Sequence, residues 1–359
     1  MFIGQLPPPL HGASVMNSHV LNSDLLKSSF DFSVVNLNFG TSIHELGKFS
    51  FRKLFKAIQF GFDIVRAIIA HKPDLVYYNL TPFGFALYRD AFYVFLVKLF
   101  KKKIVFHLHT KGIRDSSRKS GLKKILFRRV FRNTHIICLS KLLTYDIEEV
   151  YDMTPFIVPN GIKIQQNNNI QKKATDSVPN ILYLSHYFRS KGVLVLIEAL
   201  AILKNQGYQF KARFVGTPGD LTINFLQEEI ANRKLTESIT ISGPLYENEK
   251  FLEFQKADIF VFPTYNDVFG LVNLEAMQYR LPVISTFEGS IPEVVVDNET
   301  GFLVEPRNPG MLAEKIAILL KDNELREKMG IKGYDKFINN YTLQHFEERM
   351  NVVFNTILE

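Results

Sequence analysis

Cysteine is almost missing from the 359-residue chain: Cys138 is the only one, so no intramolecular disulfide can form. It sits in the apolar run Ile136-Ile137-Cys138-Leu139 and is expected in a core. Long apolar runs are also missing. The longest candidate, Ala91 to Val97, ends at Lys98, whereas a spanning helix needs roughly 18–20 apolar residues. The start, Met1-Phe2-Ile3-Gly4-Gln5-Leu6-Pro7, lacks the basic region and apolar stretch of a secretory leader, so a cytoplasmic location is expected. A Gly-x-Gly-x-x-Gly fingerprint is absent, which argues against a plain dinucleotide-binding oxidoreductase. No His/Asp cluster has metal-ligand spacing, so no metal is expected.

What is present fits two domains, because a domain runs to roughly 100–200 residues. Charge divides the chain unevenly. Residues 1–175 hold 25 Lys and Arg against 11 Asp and Glu, and the remainder holds 18 against 25. The first half is therefore expected to face something anionic, nucleic acid or a membrane surface. Strand-like runs alternate with helical patterns throughout. Candidate strands are Phe32–Leu37, Leu75–Tyr78, Ile104–His109, Thr134–Leu139, Ile181–Ser185, Lys211–Gly216, Ile239–Gly243, Ile259–Phe262 and Pro282–Ser285. Helical stretches include Phe51–Ala70, Leu122–Phe131, Gly192–Gln206 and Asn308–Lys321. That alternation predicts an α/β chain with doubly wound parallel sheets, whose ligands lie at the strand C-termini. The polar, Asn- and Gln-rich stretch 166–180 reads as a linker. It separates a first domain, 1–165, from a second, 181–340, and residues 341–359 form a last helix directed back toward the first domain.

Chemistry concentrates in Ile259-Phe260-Val261-Phe262-Pro263-Thr264-Tyr265-Asn266-Asp267-Val268-Phe269-Gly270-Leu271-Val272-Asn273-Leu274-Glu275-Ala276-Met277. A strand ends at Pro263, a polar loop carries Asp267, and Gly270 opens a helix holding Glu275. Free N–H groups at a helix start favour phosphate, and a carboxylate accepts paired bonds from sugar hydroxyls. From the residues alone, an ordinary loop with solvated acids fits as well.

This segment resembles the signature of the retaining glycosyltransferases of family four, Glu-x-Phe-Gly, four residues, then Glu-Ala-Met. Phe269, Gly270, Glu275, Ala276 and Met277 match, and Asp267 stands in place of the first Glu. The resemblance implies the GT-B fold, two Rossmann-like domains facing across a cleft, with acceptor bound by the first and nucleotide sugar by the second. It gives Glu275 the nucleotide ribose and Asp267 the donor sugar, beside Phe269, Gly270, Leu271 and Val272. Lys191-Gly192 after the strand Ile181–Ser185 resembles the family's pyrophosphate-neutralising Lys-Gly. His186 holds the place of a family Arg, for which Arg189 is a candidate substitute. Gly289-Ser290-Ile291-Pro292-Glu293 resembles a Gly-Gly-x-Pro-Glu loop near the donor sugar.

In the first half, Gly12 and Ala13 are the small pair of a Pro-stiffened loop, ahead of a helix beginning near Ser14. The resemblance sets them close to the donor diphosphate. His107 and His109 share a strand face, and pattern does not choose between them. The resemblance selects His109, near donor sugar and acceptor. Phe156 to Ile162 reads as a turn.

Basic residues dominate 101–132, interleaved with Leu122, Ile125 and Phe131 at helical spacing. Such a helix suits an anionic membrane, or a core-packed helix with a solvated face. Nucleic acid is not expected, because no recognition module is present. The implied reaction is metal-independent, retaining transfer of a hexosyl unit from a UDP- or GDP-linked sugar to a glycan or lipid-linked acceptor, in surface polysaccharide or glycoconjugate assembly, with no cofactor. The enzyme would sit in the cytoplasm or peripherally on the inner membrane face. A GT-B sugar-nucleotide epimerase and a catalytically weakened nucleotide-sugar-binding scaffold are the alternatives.

Overall fold

Short apolar runs of three to six residues, each followed by a helical stretch, can be buried only as parallel strands with helices on their faces. A computed structural model of the chain describes residues 1–8, 11–39, 51–165 and 178–359. It divides into two compact units, Met1–Asn160 with Leu343–Glu359, and Gly161–Thr342. In the first unit the strands are β1 (Phe2–Gly4), β2 (Val34–Asn36), β3 (Leu75–Tyr78), β4 (Lys103–Leu108), β5 (His135–Cys138) and β6 (Phe156–Ile157). They form one sheet in the order β2-β1-β3-β4-β5-β6, with every pair parallel. In the second unit β7 (Asn180–Leu184), β8 (Lys211–Val215), β9 (Ile239–Ser242), β10 (Ile259–Val261), β11 (Val283–Thr286) and β12 (Gly301–Val304) form a parallel sheet in the order β12-β11-β10-β7-β8-β9. Both are doubly wound α/β units of Rossmann type.

The nine expected strands are all present. β1, β6 and β12 were not among them; β6 has only two residues. β6 lies inside the stretch read as a turn. In the first sheet Val76, Tyr78, Ile104, Phe106, Ile136 and Cys138 pack under the helices Phe51–His71, Gly84–Leu99 and Gly121–Phe131. Burial pushes the Cys138 thiol up to about 12. On the other face the helix Leu343–Leu358 packs against the helices Gly12–Asn22 and Asp24–Ser29, with Phe354 edge-on to Phe30 and Tyr77.

The first unit ends five residues before the expected boundary. Ile162 forms a parallel bridge with Thr342, its N–H donating to Tyr341 O at 3.0 Å, and Gln165 N donates to Gln278 Oε1 at 2.6 Å. These bonds hold 161–165 in the second unit. Most of the expected linker, 166–177, lies outside the described residues, as do Pro9 and Leu10.

Candidate active site

The second sheet reverses its strand order between β7 and β10, the place where a doubly wound sheet offers a ligand crevice at its strands' C-terminal ends. The two exits are stitched together. Thr264 Oγ1 and Tyr265 N both donate to Ser190 O, at 3.0 and 2.9 Å. Gly192 permits this approach: its φ is +79°, and a Cβ there would lie 1.9 Å from Pro263 O. Lys191 is thereby brought over the acid loop. Its Nζ donates to Asp267 Oδ2 at 2.7 Å and to Asn266 O at 3.0 Å.

Asp267 is occupied on both oxygens. Oδ1 accepts from the N–H groups of Val268, Phe269 and Gly270 at 2.7, 3.1 and 2.9 Å. The loop is fixed from behind by Asp267 N donating to Glu288 Oε1 (3.2 Å) and Ser290 N donating to Val268 O (2.8 Å). Gly270, in the left-handed region, is the N-cap of the helix Leu271–Gln278. The N–H groups of Leu271 and Val272 open that helix and have no carbonyl a turn earlier to bond, which leaves them for an anion. Phe269 is buried, edge-on to Tyr341.

Glu275, further along the same helix, receives Lys250 Nζ at 2.7 Å. Lys250 lies on the helix Glu247–Lys256 that follows β9 and was not among the expected site residues. Nothing in Glu247-Asn248-Glu249-Lys250 distinguishes it from a solvated helix start. His186 is half-buried, and burial together with the Lys191 charge holds its pKa below the usual value, so its ring is neutral at pH 7. Arg189 is exposed; its guanidinium lies over Phe225 at 5.5 Å, and its N–H donates to Asp220 Oδ1 at 2.8 Å. The crevice thus gathers Lys191, Asp267, Gly270, Leu271 and Val272, with Glu275 on the helix behind them.

The first sheet reverses between β1 and β3. Beyond β1, His11 caps the helix Gly12–Asn22: its Nδ1 accepts from Ser14 N at 3.2 Å while its own N–H donates to Ser14 Oγ at 3.1 Å. The helix therefore begins two residues earlier than expected. Gly12 and Ala13 are its first turn, because an imidazole does the capping that the sequence assigned to no residue.

His109 follows β4 and is 8% exposed, while His107 within the strand is fully buried. Their rings are 4.0 Å apart, and Tyr77 Oη lies 2.7 Å from His107 Nδ1. Neither Nε2 has a partner among the described residues. Burial, then the nearby His11, pushes His109 down to about 3, and burial with His109 holds His107 well below the usual range. Both are neutral imidazoles at pH 7. Asn17 completes the cluster: its Oδ1 accepts from Tyr77 Oη at 3.4 Å and its Nδ2 donates to Gln5 O at 2.9 Å. The signal that could have found Asn17 is a polar residue on the buried stripe between Met16 and Val20.

Part of the basic segment 101–132 is neutralised locally. Glu149 accepts from Arg118 at 2.6 Å and Lys124 at 2.9 Å, which drives its carboxyl down to about 2. Lys103 Nζ caps the C-terminal helix at Ile357 O and Leu358 O, at 2.6 and 3.0 Å. Among the described residues no three His, Cys, Asp or Glu group as metal ligands, and no helix is long and apolar enough to cross a membrane.

Two family models match consecutive stretches of the chain: Glycosyltransferase Family 4 over residues 27–166, and Glycosyl transferases group 1 over residues 165–336. The capsular polysaccharide biosynthesis glycosyltransferase CapM of Staphylococcus aureus is 28% identical over 244 residues, 64% of this chain and 63% of that one. The D-inositol 3-phosphate glycosyltransferase of Corynebacterium diphtheriae is 26% identical over 228 residues, 59% of this chain and 53% of that one. The chain thus spans between about a half and two thirds of the length of these curated relatives. Among solved structures, a glycosyltransferase from Rickettsia africae superposes with a TM-score of 0.78 at 22% identity, covering 100% of this chain and 98% of that one. HepE from Anabaena, in complex with UDP-glucose, superposes with a TM-score of 0.72 at 17% identity, covering 99% of each. Both share the fold of two Rossmann-like units. This chain belongs to the group 1 glycosyltransferases of family four, with the GT-B fold.

Proposed function

We propose that the protein is a retaining glycosyltransferase that moves a hexosyl unit from a nucleoside-diphosphate sugar to a hydroxyl of a glycan or lipid-linked acceptor. The observation that carries this reading is the crevice at the β7/β10 reversal. There Lys191 and the free N–H groups of Leu271 and Val272 offer positive charge beside Asp267 and Glu275. A diphosphate fits the ammonium and the helix start, and hydroxyls fit the carboxylates. The bound UDP-glucose of HepE and the capsular role of CapM favour a UDP-linked donor and a surface polysaccharide setting.

As the acceptor oxygen bonds to the anomeric carbon, the bond from that carbon to the diphosphate breaks. The acceptor proton passes to the departing phosphate oxygen on the same face. Lys191 and the helix N-terminus stabilise the charge that develops there, so the reaction runs without a metal or cofactor. His109, neutral, donates to or accepts from a sugar hydroxyl. A peripheral contact with an anionic membrane would bring lipid-linked acceptors within reach.

Thermal stabilisation across UDP-, GDP-, ADP- and dTDP-sugars, with NAD(P) as control, tests the donor site, because a ligand bound only to the folded state stabilises it by about 2.7 kcal/mol at a hundred times its Kd. A selective shift identifies the base; no shift with any of them removes the reading. Initial rates in chelator are expected to match those without it, and a loss restored by magnesium or manganese refutes metal independence.

A second reading has one observation in its favour: both Asp267 oxygens are engaged by the chain itself. A nucleotide-sugar-binding scaffold would then give the thermal shift and no product with any acceptor. An epimerase would convert the donor without an acceptor, which product analysis detects.

A further inference from the structure

The helices Phe51–His71 and Gly84–Leu99 carry two apolar faces each. The inner faces cover the first sheet through Ile64, Ile68, Leu87, Val94 and Val97. The outer faces are also apolar. On the first helix Phe55, Ile58, Phe62 and Ile69 recur at intervals of three, four and seven, which is one stripe of a helix, and Phe62 is 70% exposed. On the second, Tyr88, Phe92, Phe95 and Leu99 recur at four, three and four, and Leu99 is 76% exposed. The third helix, Gly121–Phe131, continues the surface: Leu122 (81% exposed) and Ile125 share its outer stripe with Arg129, and exposed Arg132 follows one turn on.

The three helices pack side by side in the order of the strands they connect, so the stripes lie on one face of the first unit. Lys98 Nζ bonds to Arg129 O and Arg132 O at 2.7 Å each, drawing the basic ends of the second and third helices together. Acids are scarce on this face. Asp63 and Asp90 are the acids of the three helices, and Asp90 is buried with an oxygen 2.6 Å from the Arg89 guanidinium.

Aromatic and aliphatic residues this exposed, on adjacent helices and edged by cations, mark an interaction surface. We infer that this face docks on an anionic lipid bilayer, with the Phe62 and Phe92 stripes entering the headgroup boundary and Arg129 and Arg132 meeting lipid phosphates. Charge selects the occupant. A second copy bound about a two-fold axis would set this basic face against itself, whereas an anionic bilayer supplies both apolar depth and negative charge. The inference refines the peripheral contact of the proposed function and relocates it. The aromatic stripes of residues 55–69 and 88–99 bear the apolar insertion, and of the basic segment 101–132 only the end carrying Leu122, Ile125, Arg129 and Arg132 takes part.

The experiment is co-sedimentation of the whole protein with vesicles of phosphatidylcholine alone or mixed with phosphatidylglycerol. Binding is expected to the mixed vesicles and to be weakened by salt. Phe62→Gln with Phe92→Gln should lower affinity by at least about tenfold per residue, since burying one Phe side chain is worth that much. Arg129→Glu with Arg132→Glu should lower it by about fivefold or more per residue on mixed vesicles only. Phe62, Arg129 and Arg132 are exposed, and Phe92 is half-exposed with its ring against Gly61, so the donor-induced shift should be unchanged in all variants and thermal unfolding lowered only slightly in the Phe variant. This separates failure of the surface from failure of the transferase reading. Undiminished binding by the Phe variant, equal binding to uncharged vesicles, or a wild-type dimer that the Phe variant dissociates would each overturn the inference.

Discussion

Replacing Lys191 by Met should damage chemistry while leaving the fold in place. Lys191 and Asp267 are about four-fifths buried and 2.7 Å apart. As a stabilising contact at a site still reached by water it contributes about 1 kcal/mol or less. The acid loop does not depend on it. The three N–H groups on Asp267 Oδ1, the bond to Glu288 and the Thr264–Ser190 bond all remain when the ammonium is gone. The fold should therefore lose little. A donor diphosphate, in contrast, loses a charge-assisted hydrogen bond worth about 1.5–3 kcal/mol, or roughly 10- to 150-fold. Because charge on the departing phosphate grows toward the transition state, kcat/KM should fall by more than donor affinity does. Initial-rate transfer assays give the first quantity and the thermal shift with the same donor gives the second. Asp267→Asn is the companion variant. Its remaining oxygen still accepts from the three backbone groups, so the loop stays, while the ammonium loses its anion. The reasoning is refuted if Lys191→Met transfers sugar at the wild-type kcat/KM, or if it unfolds before donor binding can be measured.

Acid should destabilise the first unit through its histidines. The folded pKa of His109 is about 3 against an ordinary 6.5, so its contribution is complete above 6.5 and is lost as pH falls toward 3. Between pH 7 and pH 5 the loss is about 2 kcal/mol by linkage, read by urea unfolding, and His109→Gln should remove that share of the slope. His107 acts in the same direction, so a flat profile in the wild type would contradict both burials. Lys250→Met should weaken nucleoside-diphosphate binding only while Glu275 is present; a double-mutant cycle with Glu275→Gln, read by thermal shift, gives no coupling if Lys250 merely decorates the surface. Gly192→Ala should cost more than about 2 kcal/mol in urea unfolding, because a methyl group must displace the Pro263 carbonyl; near-wild-type stability would show that the two loops are not held together there.

Legibility in the sequence followed period and length. Leu75–Tyr78 has the bounds expected of it and Leu343–Leu358 lies within two residues of the expected 341–359, because each is a run with a single clean pattern. β1 was not among the expected strands, because its apolar start runs directly into the Pro-rich loop, although it lies at the centre of the first sheet's reversal. The acid loop was visible as Asp267, Gly270 and Glu275, but how Asp267 spends its oxygens was not. The spacing is the same whether a carboxylate faces a sugar or folds back on the next three amides. Partners brought from another strand or helix, such as Lys250 for Glu275 or Glu149 for Lys124, are fixed by tertiary placement alone.

The helix Phe51–His71 shows the same limit from the other side. Periodicity reveals a buried face when polar residues fill the rest of the circumference. Here Phe55, Ile58 and Phe62 lie outside while Ile64 and Ile68 lie inside, so apolar residues cover well over half the helix and the pattern cannot say which face meets the sheet. Two apolar faces on one helix are unstable in water unless both are covered, and the sheet covers only one. The ambiguity that hides the inner face in the sequence is therefore itself the mark of a second surface, and Gly84–Leu99 repeats it beside the first. A helix that served only to cover the sheet would have kept Phe62, which is 70% exposed, polar at no cost to the core.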